Sequence, residues 1–140
     1  MKIKEIKPIE SWNLLKENEN SLLIDVRTMS EFKFNGIADL SKINKSTILI
    51  AWKDYPEMQI DPQFNEKLTR IVREKFPNQD NDKIHLLFMC SGGIRSLDAA
   101  KSMSKLNYQC YNITTGFEAN LDENGNKCGW KGDNLPWRQN

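Results

Sequence analysis

Residues Ile84-His85-Leu86-Leu87-Phe88-Met89, then Cys90-Ser91-Gly92-Gly93-Ile94-Arg95-Ser96, then Leu97 to Leu106 read as a strand, a tight loop and a helix. The first six form a short apolar run suited to a strand buried on both faces, and Ala99, Ala100, Met103 and Leu106 recur at helical spacing. Cys90 therefore falls where the strand ends. At the carboxyl edge of a parallel sheet, a loop entering a helix aims several N–H groups and the positive end of the helix dipole into one small volume. An anion belongs there.

A cysteine so placed has its charged form favoured by the dipole, the loop amides and the guanidinium of Arg95, and is expected to act as a nucleophile. Gly92 and Gly93 permit the backbone conformations that a cradle of inward-pointing amides requires. Cys90 and Arg95 are separated by four residues. Cysteine phosphatases surround a phosphate with a loop one residue longer, so the shorter ring better suits a sulfur atom on Cys90. The competing reading is a buried, inert cysteine in an ordinary strand-to-helix turn. Two glycines, an arginine five positions on and a following amphipathic helix favour the reactive one.

At these residues the chain resembles the rhodanese family of sulfurtransferases, whose loop usually reads Cys-Arg-x-Gly-x-Arg-Ser. The resemblance implies that Cys90 takes a sulfane sulfur from a donor as a persulfide and passes it to a nucleophilic acceptor. Ser91, Gly92, Gly93, Ile94, Arg95 and Ser96 would form the anion-binding loop. Ser91 stands in place of the usual arginine, which removes one cationic donor from the rim and makes thiosulfate, a doubly charged anion, a less secure donor. Asp25-Val26-Arg27 and Glu31-Phe32 also match the family pattern, whereas Gly36-Ile37-Ala38 lacks the family's histidine and Thr115 replaces the first of a glycine pair before Phe117.

Around this centre, Lys2 to Ile6 alternate as a short edge strand, and Pro8 opens a first helix through Trp12 and Leu15. Ser21 to Arg27 is a second strand, followed by a short helix capped by Ser30. Ser46 to Trp52 is a third strand, and Trp52 to Gln63 is a loop. Its Trp52, Tyr55 and Met58 read as cover for the core edge rather than as a wall beside Cys90. Phe64, Leu68, Ile71, Val72 and Phe76 trace one face of a helix that Pro77 stops. Cys110 to Thr114 is a last strand.

Strands alternating with helices imply an α/β fold with a mostly parallel sheet covered by helices on both faces. The resemblance makes that a five-stranded rhodanese-like sheet. The expected organisation is one domain over 1–140, with a core at about 8–117 and an irregular segment at 118–140 anchored by Trp130 and Leu135-Pro136-Trp137. Asp25 and Arg27 are supporting residues, read as an ion pair bracing the loops rather than as a general acid and an anion ligand.

The 140 residues include 39% hydrophobic ones, enough for a real core, and the formal net charge is +1. That balance points to no nucleic acid, and no apolar run reaches membrane-spanning length, so neither nucleic acid nor membrane is an expected partner. With no signal-peptide pattern at the N-terminus and an odd cysteine count lacking Cys-x-x-Cys, a cytoplasmic location is expected. Cys90, Cys110, Cys128 and His85 lack the paired spacing of structural zinc sites, so no metal is expected. No organic cofactor is expected either. His85 precedes Cys90 by five residues, which on one strand turns the two to opposite faces about 16 Å apart and argues against a cysteine–histidine dyad. Cys110 and Cys128 read as a strand cysteine and a loop cysteine rather than as resolving thiols.

Three functions follow from these readings. The leading one is a sulfurtransferase with a small sulfur donor, thiosulfate or a persulfide, and a cyanide, thiol or protein-cysteine acceptor. The second is a regulatory binding module of the same fold without turnover. The third, disfavoured by loop length, is a cysteine phosphatase or arsenate reductase.

Overall fold

The computed structural model describes residues 3–140. Lys2, which opens the expected edge strand, lies outside the described residues. In chain order the strands are β1 (Lys4–Ile6), β2 (Ser21–Asp25), β3 (Ile37–Ala38), β4 (Ile48–Leu49), β5 (Lys53–Asp54), β6 (Gln59–Ile60), β7 (His85–Met89), β8 (Gln109–Ile113) and β9 (Trp137–Arg138). The α-helices are α1 (Pro8–Glu17), α2 (Met29–Asn35), α3 (Phe64–Lys75) and α4 (Ile94–Ser104).

Among the described residues the central sheet has five parallel strands in the order β1-β8-β7-β2-β4. β7 lies in the middle, with Asp25 opposite Met89 and Leu87 opposite Tyr111. Its run of apolar residues has no polar face because both faces are covered. Leu22, Ile24, Leu86, Phe88 and Cys90 join Phe64, Leu68, Val72, Ala99 and Met103 from α3 and α4. Leu23, Leu87, Met89, Tyr111 and Ile113 pack with Leu15 of α1 and with Leu40, Phe117 and Trp130. The period-two alternation of a strand sends neighbouring residues into these two layers.

The α3 helix buries Phe64, Leu68 and Val72 along one stripe and ends before Pro77, as its spacing predicts. The cap of α2 differs from expectation. Thr28, not Ser30, receives the Glu31 amide, and Glu31 returns a carboxylate oxygen to the Thr28 amide in a reciprocal capping box. Ser30 lies inside the helix, where its hydroxyl has no free helix-end amide to serve.

Two segments carry structure that their composition concealed. Regular pairing in the third strand is limited to Ile48–Leu49, and the expected loop after it contains an antiparallel hairpin, β5 with β6. Its residues are exposed or half-buried and show no apolar alternation. In the tail, β9 pairs antiparallel with β3, Ala38 opposite Trp137. Trp130 is fully buried and donates its indole N–H to the Pro136 carbonyl at 2.7 Å, so the polar stretch around it is pinned at one large aromatic. No helix among the described residues is long and apolar enough to cross a membrane.

Candidate active site

β7 delivers Cys90 to the carboxyl edge at the middle of the sheet, and α4 starts four residues later. The side chain is buried, with 1% exposure. Its Sγ accepts the Gly93 N–H at 3.1 Å and lies 3.2 Å from Ser96 Oγ. The two glycines are used differently. Gly93 caps α4 at φ 101°, and a Cβ there would run into the Thr114 carbonyl. Gly92 is the exposed crest of the loop, where a Cβ would meet nothing within 4 Å.

The turn after β8 forms the back of the loop. Phe117 N–H donates to the Cys90 carbonyl at 2.8 Å and Glu118 N–H to the Ser91 carbonyl at 3.0 Å. Gly116, at φ 57°, comes so close to those two carbonyls that a side chain could not fit between them. This bracing escaped the sequence reading, and the signal for it was a glycine followed by an aromatic just beyond the last strand.

Arg95 begins α4 but turns toward α2. Its two terminal nitrogens bind the two carboxylate oxygens of Glu31 at 2.7 and 3.0 Å, a bidentate pair between partly buried side chains. On sequence grounds this guanidinium is expected to favour the negative charge on the Cys90 sulfur. In the structure it serves Glu31 by contact and Cys90 by longer-range attraction, because the carboxylate that caps α2 offers the fork its two acceptors. Burial raises the Glu31 carboxyl, but the hydrogen bonds from Arg95 and Thr28 outweigh it and hold the group below its ordinary range. The same contact, against burial, keeps Arg95 above its own.

Asp25 and Arg27 form an ion pair with 0% and 1% side-chain exposure. Arg27 reaches Asp25 through Nε at 3.0 and 3.1 Å and through a terminal nitrogen at 2.7 Å, and that nitrogen also donates to the Gly36 carbonyl at 2.8 Å. The guanidinium lies 4.2 Å from the centroid of the Phe117 ring. Burial pushes the Asp25 carboxyl up while Arg27 pulls it down. The pair thus ties the end of β2 to the end of α2 and to the Phe117 turn behind Cys90.

The remaining candidates are scattered. Ser91 is held by the turn, its hydroxyl donating to the Glu118 carbonyl at 3.2 Å. Ile94 projects into solvent at 81% exposure. Trp52 is buried edge-on against Phe64, as expected of a core cover, but Tyr55 and Met58 line a cleft of about 450 Å³ with Thr28, Ser30, Glu31, Phe34, Asn35 and Arg95. They border the loop because the unforeseen hairpin carries them there. His85 sits at the opposite end of β7, its Nδ1 2.7 Å from the Tyr111 hydroxyl. Cys110 pairs across from Leu86, four residues before Cys90 and about 13 Å back along the strand. Cys128 donates its thiol to the Asn120 carbonyl at 3.0 Å.

The class these features define is an α/β protein that presents a buried cysteine at the mouth of its central parallel strand, under the first turn of a helix. The chain belongs to the rhodanese-like domain family, whose model matches residues 8–123. It is 36% identical to the protein RC0915 of Rickettsia conorii over 141 residues, or 99% of both chains. The crystal structure of Rv0390 from M. tuberculosis is similar with a TM-score of 0.82 at 29% identity, covering 100% of both chains. The solution structure of a polysulfide-sulfur transferase homodimer from Wolinella succinogenes shares the fold, with a TM-score of 0.58 at 20% identity over 97% of this chain and 78% of that one.

Proposed function

We propose that the protein is a sulfurtransferase in which Cys90 carries the sulfur. The observation that bears most weight is the position of Sγ at the mouth of β7, bonded by the Gly93 amide where α4 begins. The Cys90 thiolate attacks the sulfane sulfur of thiosulfate or of a thiol-borne persulfide. A new S–S bond forms, the donor's own bond to that sulfur breaks, and sulfite or a thiolate leaves with the electron pair. An acceptor (cyanide, a thiol or a protein cysteine) then attacks the outer sulfur and returns Cys90 as thiolate. The amides of the Ser91–Ser96 loop and the start of α4 favour the negative charge that the outer sulfur bears in between.

Membership of the rhodanese-like family and the shared fold with a polysulfide-sulfur transferase support this reading. Ser91 in the place of a cationic side chain favours a thiol-borne donor over thiosulfate. Three free cysteines fit work in the reducing cytoplasm, and the chain acts as one domain over 1–140 without a metal or organic cofactor. The test is intact-mass measurement of the reduced protein after thiosulfate or a persulfide donor, beside Cys90→Ser. The expected result is a gain of one sulfur atom, roughly 32 Da, that cyanide removes and the variant never acquires. No adduct from either donor overturns the proposal, and turnover of an aryl phosphate dependent on Cys90 would replace it with oxyanion chemistry.

A further inference from the structure

Behind Cys90 runs a chain of hydrogen bonds that the sulfur-transfer reading does not use. Sγ lies 3.2 Å from Ser96 Oγ, and Ser96 Oγ donates to Asn112 Oδ1 at 2.6 Å. Asn112 Nδ2 donates to the Gly93 carbonyl at 3.0 Å and to Glu5 Oε1 at 3.1 Å. Cys90, Ser96 and Asn112 are all buried, Asn112 at 1% exposure one residue before the carboxyl end of β8.

Chemistry fixes the direction of this chain. A backbone carbonyl and a carboxylate only accept, so the amide NH2 of Asn112 must face Gly93 and Glu5 and its oxygen must face Ser96. An amide oxygen also only accepts, so the Ser96 proton is committed to Asn112 and the hydroxyl turns a lone pair toward Sγ. That arrangement suits a thiol, whose S–H can donate to Ser96 Oγ. A thiolate instead needs the hydroxyl to swing off Asn112 and donate to sulfur.

We propose that Asn112 is a positioning residue for Cys90. Its side-chain oxygen competes with Sγ for the Ser96 proton, keeping it while Sγ is uncharged and yielding it when Sγ is a thiolate. The inference rests on reading Cys90 as the sulfur carrier. In the loaded form the negative charge sits on the outer sulfur, Sγ is neutral and without a proton, and the hydroxyl returns to Asn112. A donor fixed permanently on Sγ would favour the unloaded thiolate and oppose loading. Competition from Asn112 brings the two forms closer in energy, and only hydrogen bonds exchange.

The charged groups around the loop are Arg95 on α4, Glu31 on α2, the Asp25–Arg27 pair at the end of β2, Glu5 on β1, and Glu118 on the turn after β8 with its partner Lys131. Glu5 meets the chain at its far end, through Asn112.

The test follows the pH dependence of Cys90 alkylation by iodoacetamide in the sulfur-free protein, read from the mass of the Cys90 peptide, in a cycle of Ser96→Ala and Asn112→Ala. With Asn112→Ala the hydroxyl is free for Sγ, and the alkylation midpoint falls by about one pH unit. With Ser96→Ala the donor is gone and the midpoint rises. The double variant matches Ser96→Ala, because Asn112 acts through Ser96. An Asn112→Ala shift of equal size with and without Ser96, or no shift, overturns the proposal, since a residue that only props the loop through Gly93 and Glu5 acts regardless of Ser96. Asn112→Leu keeps most of the side-chain volume without an acceptor and serves if the alanine variant does not fold. It frees the Ser96 hydroxyl in the same way, so the midpoint falls with Ser96 present and not with Ser96→Ala, and an equal shift in both overturns the proposal. Alkylation needs no sulfur donor, so failure of this coupling and failure of persulfide formation are separate results.

Discussion

At the scale of single residues, the buried charges behind Cys90 are the most exposed to substitution. Asp25→Ala leaves the Arg27 guanidinium at 1% exposure without its carboxylate and should cost roughly 3–5 kcal/mol in urea unfolding. A cost under about 1 kcal/mol would contradict its bracing role. The glycine pair gives an internal contrast. Gly92→Ala enters open space and should change stability by less than about 0.5 kcal/mol, whereas Gly93→Ala meets the Thr114 carbonyl at a left-handed φ and should cost about 1–3 kcal/mol. Among the thiols, burial pushes Cys110 up to about 12. Iodoacetamide near neutral pH should therefore leave the Cys110 peptide unmodified in the folded protein and label it once urea exposes it. Labelling of folded Cys110 at the rate seen in urea would show that β8 does not shield it.

At the scale of elements, the Glu31–Arg95 ion pair links α2 to α4, and its pH response has a definite sign. The folded Glu31 carboxyl titrates below its ordinary value of 4.5. Its contribution to stability is therefore complete above that value and disappears as pH falls through the lower, folded one. Urea midpoints of the parent and Glu31→Gln should differ by a constant amount from about pH 7 to about pH 5, then converge as pH falls further. A difference unchanged at low pH would mean that the carboxylate's charge contributes nothing to the contact. The elements themselves were legible to different degrees. The runs that became β7, α3 and α4 state their periodicity plainly, so strand, loop and helix could be placed with Cys90 at the join. The β5–β6 hairpin and β9 could not, because strands of two residues bury no alternating face and depend on partners distant in sequence. The direct partner of Arg95 could not be named for a related reason. Spacing within a loop says nothing of Glu31, 64 residues earlier.

For the whole molecule, the parallel sheet and its covered faces followed from alternation of strands and helices, but the strand order did not. Among the described residues β1 pairs only with β8, near the end of the chain, and Trp130 fills the layer between α1 and the sheet. Trp130→Ala should cost about 3–5 kcal/mol and loosen the Phe117 turn, since the buried indole anchors residue 130, whose backbone amide donates to the Gly116 carbonyl at 2.8 Å. The check is urea unfolding together with hydrogen exchange at Phe117 and Glu118. Unchanged exchange at those amides would separate the tail from the loop.

The pairing of β1 with β8 also has a consequence in time. A chain emerging from the ribosome has made Cys90 well before it has made β8, Phe117 or Trp130, and closing contacts so far apart in sequence is slow. Until they close, the Gly93 cap has no wall at Thr114 and the loop carbonyls have no partners at Phe117 and Glu118. On the reading of Cys90 as the sulfur carrier, its loop is therefore unbuilt on an unfinished polypeptide, and sulfur transfer is expected only after the last third of the protein has been synthesised and folded back onto the first.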